Sequence, residues 1–176
     1  MNEMKLRPVG VVHSDIEKPS LVARSGDLAW GAKDRPPSSP GENVSEIVID
    51  QNYADILEGI EEFSHLLVLY WAHKVDEKAR NINKVHPMGR KDMPLVGVFS
   101  TCSPARPNPV LLIAVRLLER NGTTLRVAGL DAVDGSPVVD IKPYLPHYYS
   151  ISEVRLSGWM NQLLDEMEQT SRRHET

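Results

Sequence analysis

Along most of this chain the apolar positions follow a period of two. Val44–Asp50 alternates apolar and polar side chains, the pattern of a half-buried strand. Leu6–His13 is apolar and rich in β-branched residues and predicts a strand, with Pro8 at an edge or entry position. His65–His73 is the most apolar run and predicts a central strand covered on both faces. Leu95–Ser100 predicts another short strand. Val110–Leu118 and Thr124–Leu130 flank Asn121-Gly122, a dipeptide that favours positive φ in a tight turn, so they predict a hairpin. Asp134-Gly135 is a second turn of this chemistry and leads into Val138–Ile141.

A helical period appears late. Leu156, Trp159, Met160, Leu163, Leu164 and Met167 share one helical face, with Ser157 placed to cap its start. Tyr53–Ile60 predicts a short helical turn ending near Gly59. Two long stretches lack either period. Ser14–Glu42, with Pro19, Pro36, Pro37 and Pro40, and the polar, basic Asp76–Lys91 both predict loops. Five or six short strands with little helix predict a mainly β fold, a barrel or a sandwich, over residues 1–150. A helix and tail follow over 151–176.

Composition narrows the class. A chain of 176 residues with 41% hydrophobic and 25% charged residues fits one domain with its own core. Its one cysteine, Cys102, excludes an internal disulfide framework and points to the cytoplasm. Met1–Arg7 lacks the apolar stretch of a signal peptide. No apolar run reaches the ~20 residues of a membrane span, so no membrane partner is expected. The net charge of −4 requires any nucleic-acid surface to be local. Lys74, Lys78, Arg80, Lys84, His86, Arg90 and Lys91 form the best local candidate, although Asp76, Glu77 and Asp92 dilute it and a solvated loop would look the same.

Two segments concentrate chemistry. Ser103–Pro109 holds Pro104, Pro107 and Pro109, a stiff loop that presents Arg106 and Asn108. A rigid barrel corner would read alike. In Asp131–Tyr144, Asp131 and Asp134 flank a turn where carboxylates can accept hydrogen bonds from ribose hydroxyls or an amine. Local turn chemistry is the plainer alternative. Asp140 and Lys142, two apart, share a strand face and can pair. His73, followed by Lys74, ends the apolar strand where a barrel mouth would offer a ligand contact. No metal is expected: His65 and His73 lie more than ~25 Å apart on a strand, and the other histidines are scattered. The Gly-x-Ser-x-Gly elbow, the dinucleotide glycine fingerprint and the P-loop are absent from the sequence.

Val96–Pro109 and Leu130–Pro146 together resemble the two signatures of the TsaA-like (TrmO) family, with weaker similarity over Pro8–Ser14, Leu57–His73 and His86-Pro87. The resemblance implies a small closed or partly open β-barrel that binds S-adenosylmethionine, and a homodimer with the cofactor near the subunit interface. It implies methyl transfer to the exocyclic amine of threonylcarbamoyladenosine at position 37 of threonine tRNA. By position, the cofactor contacts fall at Arg24, His73, Lys74, Leu112, Asp131, Ala132, Val133 and Asp134. Cys102, Arg106, Asn108, Asp140, Lys142 and Tyr144 occupy other signature positions without an assigned role, and no catalytic residue is assigned.

The chain departs from the family pattern in two signature places, and only the amphipathic helix follows the barrel where longer bacterial members carry a further C-terminal domain. Cys102 stands where the family has Arg, which removes a fixed cation and its donor fork. Val110-Leu111 replaces Ile-Gly, which removes a site of close backbone approach. The acidic balance and the missing second domain raise a small-molecule methyl acceptor as one alternative; Cys102 and Leu111 raise another, a barrel that binds cofactor or nucleoside without turnover.

Overall fold

The computed structural model describes residues 4–24, 26–30 and 43–174. Its strands are β1 (Gly10–His13), β2 (Leu21–Arg24), β3 (Asp27–Trp30), β4 (Val44–Ile49), β5 (His65–Trp71), β6 (Lys84–Val85), β7 (Val96–Gly97), β8 (Val110–Asn121), β9 (Thr124–Ala128) and β10 (Pro137–Pro143). Two α-helices follow, α1 (Pro146–Tyr149) and α2 (Gly158–His174).

Six strands close into an antiparallel barrel in the order β1-β10-β5-β8-β9-β4 and back to β1. Burial alternates along β4, with Ser45, Ile47 and Ile49 buried, but polarity does not follow it at the start, where Ser45 is buried and Val44 exposed. Val12, Ile47, Leu66, Val68, Val115, Leu125, Val127 and Val138 fill the interior. A six-stranded barrel is narrow enough for side chains to occupy its centre. Gly10 lets strands approach: a Cβ there would stand 2.4 Å from the Val48 carbonyl oxygen. The hairpin at Asn121-Gly122 forms as expected, with Gly122 at φ +60°. Gly59, at φ +80°, separates the 3-10 turns Gln51–Leu57 and Ile60–Glu62.

Three expectations are corrected. Ser14–Glu42 is not loop throughout: β2 and β3 pair as a hairpin about Gly26, whose φ of +79° makes the reversal. Leu95–Ser100 is strand only over β7; Val98–Ser100 then coils into a 3-10 turn because the Thr101 N–H and Oγ1 both donate to the Val98 carbonyl. Asp76–Lys91 contains the 3-10 turn Glu77–Asn81, strand β6 and a turn at Pro87–Gly89.

These corrected pieces form a unit outside the barrel. Leu28, Ala79, Val85 and Ala105 make a second apolar core, joined by Val75 and Ile82. Asp27 ties it together. Its Oδ1 accepts from the backbone N–H of Leu28 (2.8 Å) and of His86 (2.9 Å). Its Oδ2 accepts from His86 Nδ1 (2.6 Å) and from Lys91 Nζ. Burial alone would raise the Asp27 pKa, but the bonds from Lys91, His86 and Leu28 outweigh it and hold the carboxyl well below the usual range.

Helix α2 carries the expected stripe from Trp159 onward, but Leu156 precedes the helix and is exposed. Trp159, Met160 and Leu163 are half-buried, whereas Leu164 and Met167 remain exposed. The Ser157 carbonyl accepts from the N–H groups of Met160 and Asn161, which starts the helix. An ion pair from Arg90 to Glu166 links it to the body. No helix among the described residues is long and apolar enough to cross a membrane.

Candidate functional site

The turn Asp131–Ser136 joins β9 to β10 at one end of the barrel, and three elements brace it. The Gly135 N–H donates to the Val12 carbonyl (2.9 Å) and the Asp134 N–H to the Ile16 carbonyl (2.8 Å). Ser14 Oγ donates to the Ala132 carbonyl (2.8 Å), and the Ser14 N–H to Asp134 Oδ1 (3.1 Å). From inside the barrel, Tyr70 Oη donates to Asp131 Oδ1 (2.8 Å). Burial first, then the charge of Asp131, drives the Tyr70 pKa well above the ordinary phenol range, so it remains a donor. Ser136 Oγ donates to the Val133 carbonyl (2.6 Å) and lies 3.3 Å from His73 Nδ1.

The outcome is a preformed acidic rim. Asp131 and Asp134 are both exposed, with Ala132 buried and Val133 half-buried between them. Each carboxylate spends one oxygen on a brace, and Oδ2 of each accepts nothing from the described residues. His73 stands beside Gly135, whose φ of +78° keeps the turn tight; a Cβ there would lie 3.8 Å from His73 Nε2. Desolvation and the neighbouring Lys74 lower the His73 pKa against the opposing pull of Asp134. A neutral imidazole therefore borders the rim and does not repel a cation. Lys74 Nζ donates to the Glu17 carbonyl (2.7 Å) and pins the segment after β1.

The other expected residues distribute differently. Leu112 lies on β8 opposite Leu69, outside this bonded group, and is 61% exposed. Arg24 ends β2, and its side chain lies outside the described residues. Arg106 turns back on its own loop: Nε donates to the Ser103 carbonyl (2.7 Å) and an Nη to the Thr101 carbonyl (2.6 Å). With Ser103, Ala105 and Pro109 buried, the proline-rich segment is a locked corner. Cys102 and Asn108 are exposed on it. Asp140 and Lys142 pair at 2.5 Å, as their spacing allows, beside a β-bulge between Val138 and Asp140. Tyr144 stacks on Tyr149 at 5.6 Å. Tyr70 and Ser14 escaped sequence reasoning, since a tyrosine in an apolar run reads as core and a serine after a strand reads as turn.

A closed six-stranded barrel with a braced acidic turn at its rim defines a class of small β-barrel whose interior is filled by its own side chains. Residues 30–150 match the family described as tRNA-methyltransferase O N-terminal domain. The chain belongs to this family. It is 46% identical over 142 residues to a probable S-adenosyl-L-methionine-binding protein of Methanothermobacter thermautotrophicus, covering 81% of this chain and 90% of that one. It is 34% identical over 161 residues to the tRNA (adenine(37)-N6)-methyltransferase of Escherichia coli, covering 89% of this chain and 64% of that one. The crystal structure of TrmO from Pseudomonas aeruginosa superposes with a TM-score of 0.63 at 24% identity, over 88% of this chain and 62% of that one, and supports the fold. The chain thus spans under two thirds of the two bacterial proteins, although it spans most of the archaeal one.

Proposed function

We propose that this chain binds S-adenosylmethionine on the Asp131–Asp134 turn and transfers its methyl group to the N6 amine of a modified adenine, threonylcarbamoyladenosine at position 37 of threonine tRNA, in the cytoplasm. The supporting observation is the pair of carboxylates held by fixed donors, each with an oxygen to spare. Such oxygens suit ribose hydroxyls or an amino group, and two negative charges beside a neutral His73 suit a ligand whose sulfonium and ammonium outweigh its carboxylate. Ala132 and Val133 supply backbone and apolar contact, with His73 and Lys74 at the flank; Arg24 belongs to the same proposal. The bound sulfonium supplies an electrophilic methyl group. The acceptor nitrogen forms a bond to that carbon as the carbon–sulfur bond breaks, sulfur leaves as a thioether, and the amine proton passes to water. The protein's part is alignment, which alone supplies much of such a rate.

Titration calorimetry with S-adenosylmethionine tests this. Wild-type protein is expected to bind, Asp134→Ala to bind about 10- to 100-fold more weakly, and Tyr70→Phe about 3- to 10-fold more weakly, as losing a charged and a braced hydrogen bond implies. Wild-type protein that fails to bind at millimolar ligand would end the proposal. Unchanged affinity in Asp134→Ala would move the ligand away from the turn.

The proposal extends to a homodimer. Leu112 and Phe99, 61% and 79% exposed, are apolar side chains that a second copy would cover. Light scattering should return twice the mass of one chain; a monomer at micromolar concentration would remove the dimer.

A further inference from the structure

The basic stretch 74–91 divides into two parts with different partners. At its far end the cations are consumed: Arg90 binds Asp92 and Glu166, and Lys91 binds Asp27. Nearer the rim they are not. Lys78, Arg80 and Lys84 meet no carboxylate among the described residues, although Glu77 adjoins Lys78 in sequence. The Asp76 carboxylate is turned to the Lys78 backbone N–H (2.9 Å). Lys78 and Lys84 are exposed.

Arg80 is held in an unusual way. Its guanidinium carbon lies 5.4 Å from the ring centre of Trp71, and its Nε is buried without an acceptor. Stacking on an indole fixes the plane of the guanidinium while leaving its charge unneutralised. A cation kept stiff and unpaired costs stability that a surface arginine in water would not. Trp71 ends β5 two residues before His73, so the stacked arginine sits on the chain that leads directly to the acidic rim. One side of the cofactor turn is thus acidic, and the segment that follows it is cationic.

The geometry points to Lys78, Arg80 and Lys84 as the surface that holds the phosphate backbone of the substrate RNA, with Arg80 as its rigid centre. This rests on the RNA half of the proposed function and goes beyond it by naming the contact. The three cations suit a polyanion with evenly spaced charges, and they carry no group arranged to read a base. Affinity through them is therefore insensitive to sequence and steeply dependent on salt.

The test is binding of a fluorescent threonine-tRNA anticodon stem-loop across a salt series, with cofactor affinity measured in parallel. Each phosphate contact contributes about 0.7–0.9 to the slope of log affinity against log salt. Lys78→Glu with Lys84→Glu is expected to reduce the slope by about 1.4–1.8 and low-salt affinity at least about 10-fold. Arg80→Ala removes about 0.7–0.9 more, whereas Arg126→Glu, a cation on β9 already facing Glu119 on β8 at 3.9 Å, leaves the slope unchanged. S-adenosylmethionine affinity stays at the wild-type value in all of them. An unchanged slope in the double variant would overturn the assignment and leave the methyltransferase proposal intact. Equal loss of cofactor affinity would overturn it too, since the segment would then serve the cofactor. Wild-type protein that binds cofactor but no RNA would remove both this surface and the tRNA acceptor.

Discussion

Asp27→Ala is expected to cost about 3–5 kcal/mol of local stability, the usual consequence of removing one partner from a buried charged cluster. Four donors converge on this carboxylate, two of them backbone N–H groups that alanine cannot satisfy. The loss should be confined to the unit built on Leu28, Ala79, Val85 and Ala105, because the six barrel strands close without it. Hydrogen exchange should accelerate in β3 and around His86 while β5 and β8 stay protected. Uniform acceleration through the barrel would show that the two cores are one cooperative body.

The pH dependence has a defined sign. The folded Asp27 pKa is depressed below its unfolded value of about 4. Its contribution is therefore complete above pH ~4 and is lost as pH falls toward the folded pKa. The stability gap between wild type and Asp27→Asn should be constant from pH 8 to 5 and narrow as the solution is acidified below about 4. A gap that widened in acid would contradict the assigned ionisation.

Leu66→Ala should act on the other core. Leu66 is fully buried on β5, paired with Val115 on β8 and Pro143 on β10. Truncation there loses transfer energy and leaves a cavity that the closed strands cannot collapse, about 2–5 kcal/mol. Urea unfolding should show a lower midpoint with an unchanged slope, and the whole barrel should lose protection together. A cost under about 1 kcal/mol would mean that the interior is more loosely packed than its burial implies.

The barrel was legible because its strands carry a periodic signal. Burial alternates along Val44–Ile49 even though Val44 and Ser45 reverse the polarity, and Asn121-Gly122 marks its own hairpin. The outer unit was not, because Leu21–Arg24 and Asp27–Trp30 are four-residue strands inside a stretch dominated by proline, glycine and serine, and Lys84–Val85 is too short to show any period. What holds them is Asp27 reaching residues 59 positions away, a contact no local pattern announces. The same holds for the candidate site. The turn at Asp131–Gly135 and its carboxylates stood out, and spacing alone suggested the Asp140–Lys142 pair. The inward turn of Arg106 onto its own carbonyls did not, since a proline-flanked arginine reads as presented outward. The division of the basic stretch into spent and unspent cations likewise needed the positions of Asp27, Asp92 and Glu166.

Closure of the six strands has a consequence for how this protein can be recognised. Within the barrel every strand has two neighbours, which leaves a visiting strand only partial margins, such as the Val110–Val115 half of β8, which pairs with β5 but not with β9. A partner that docks elsewhere on the barrel must read side chains, and its preference can be altered one residue at a time without touching the fold. Backbone-templated association, whether useful or pathological, is left to that half-strand and to the β2–β3 and β6–β7 ribbons, which also have open margins.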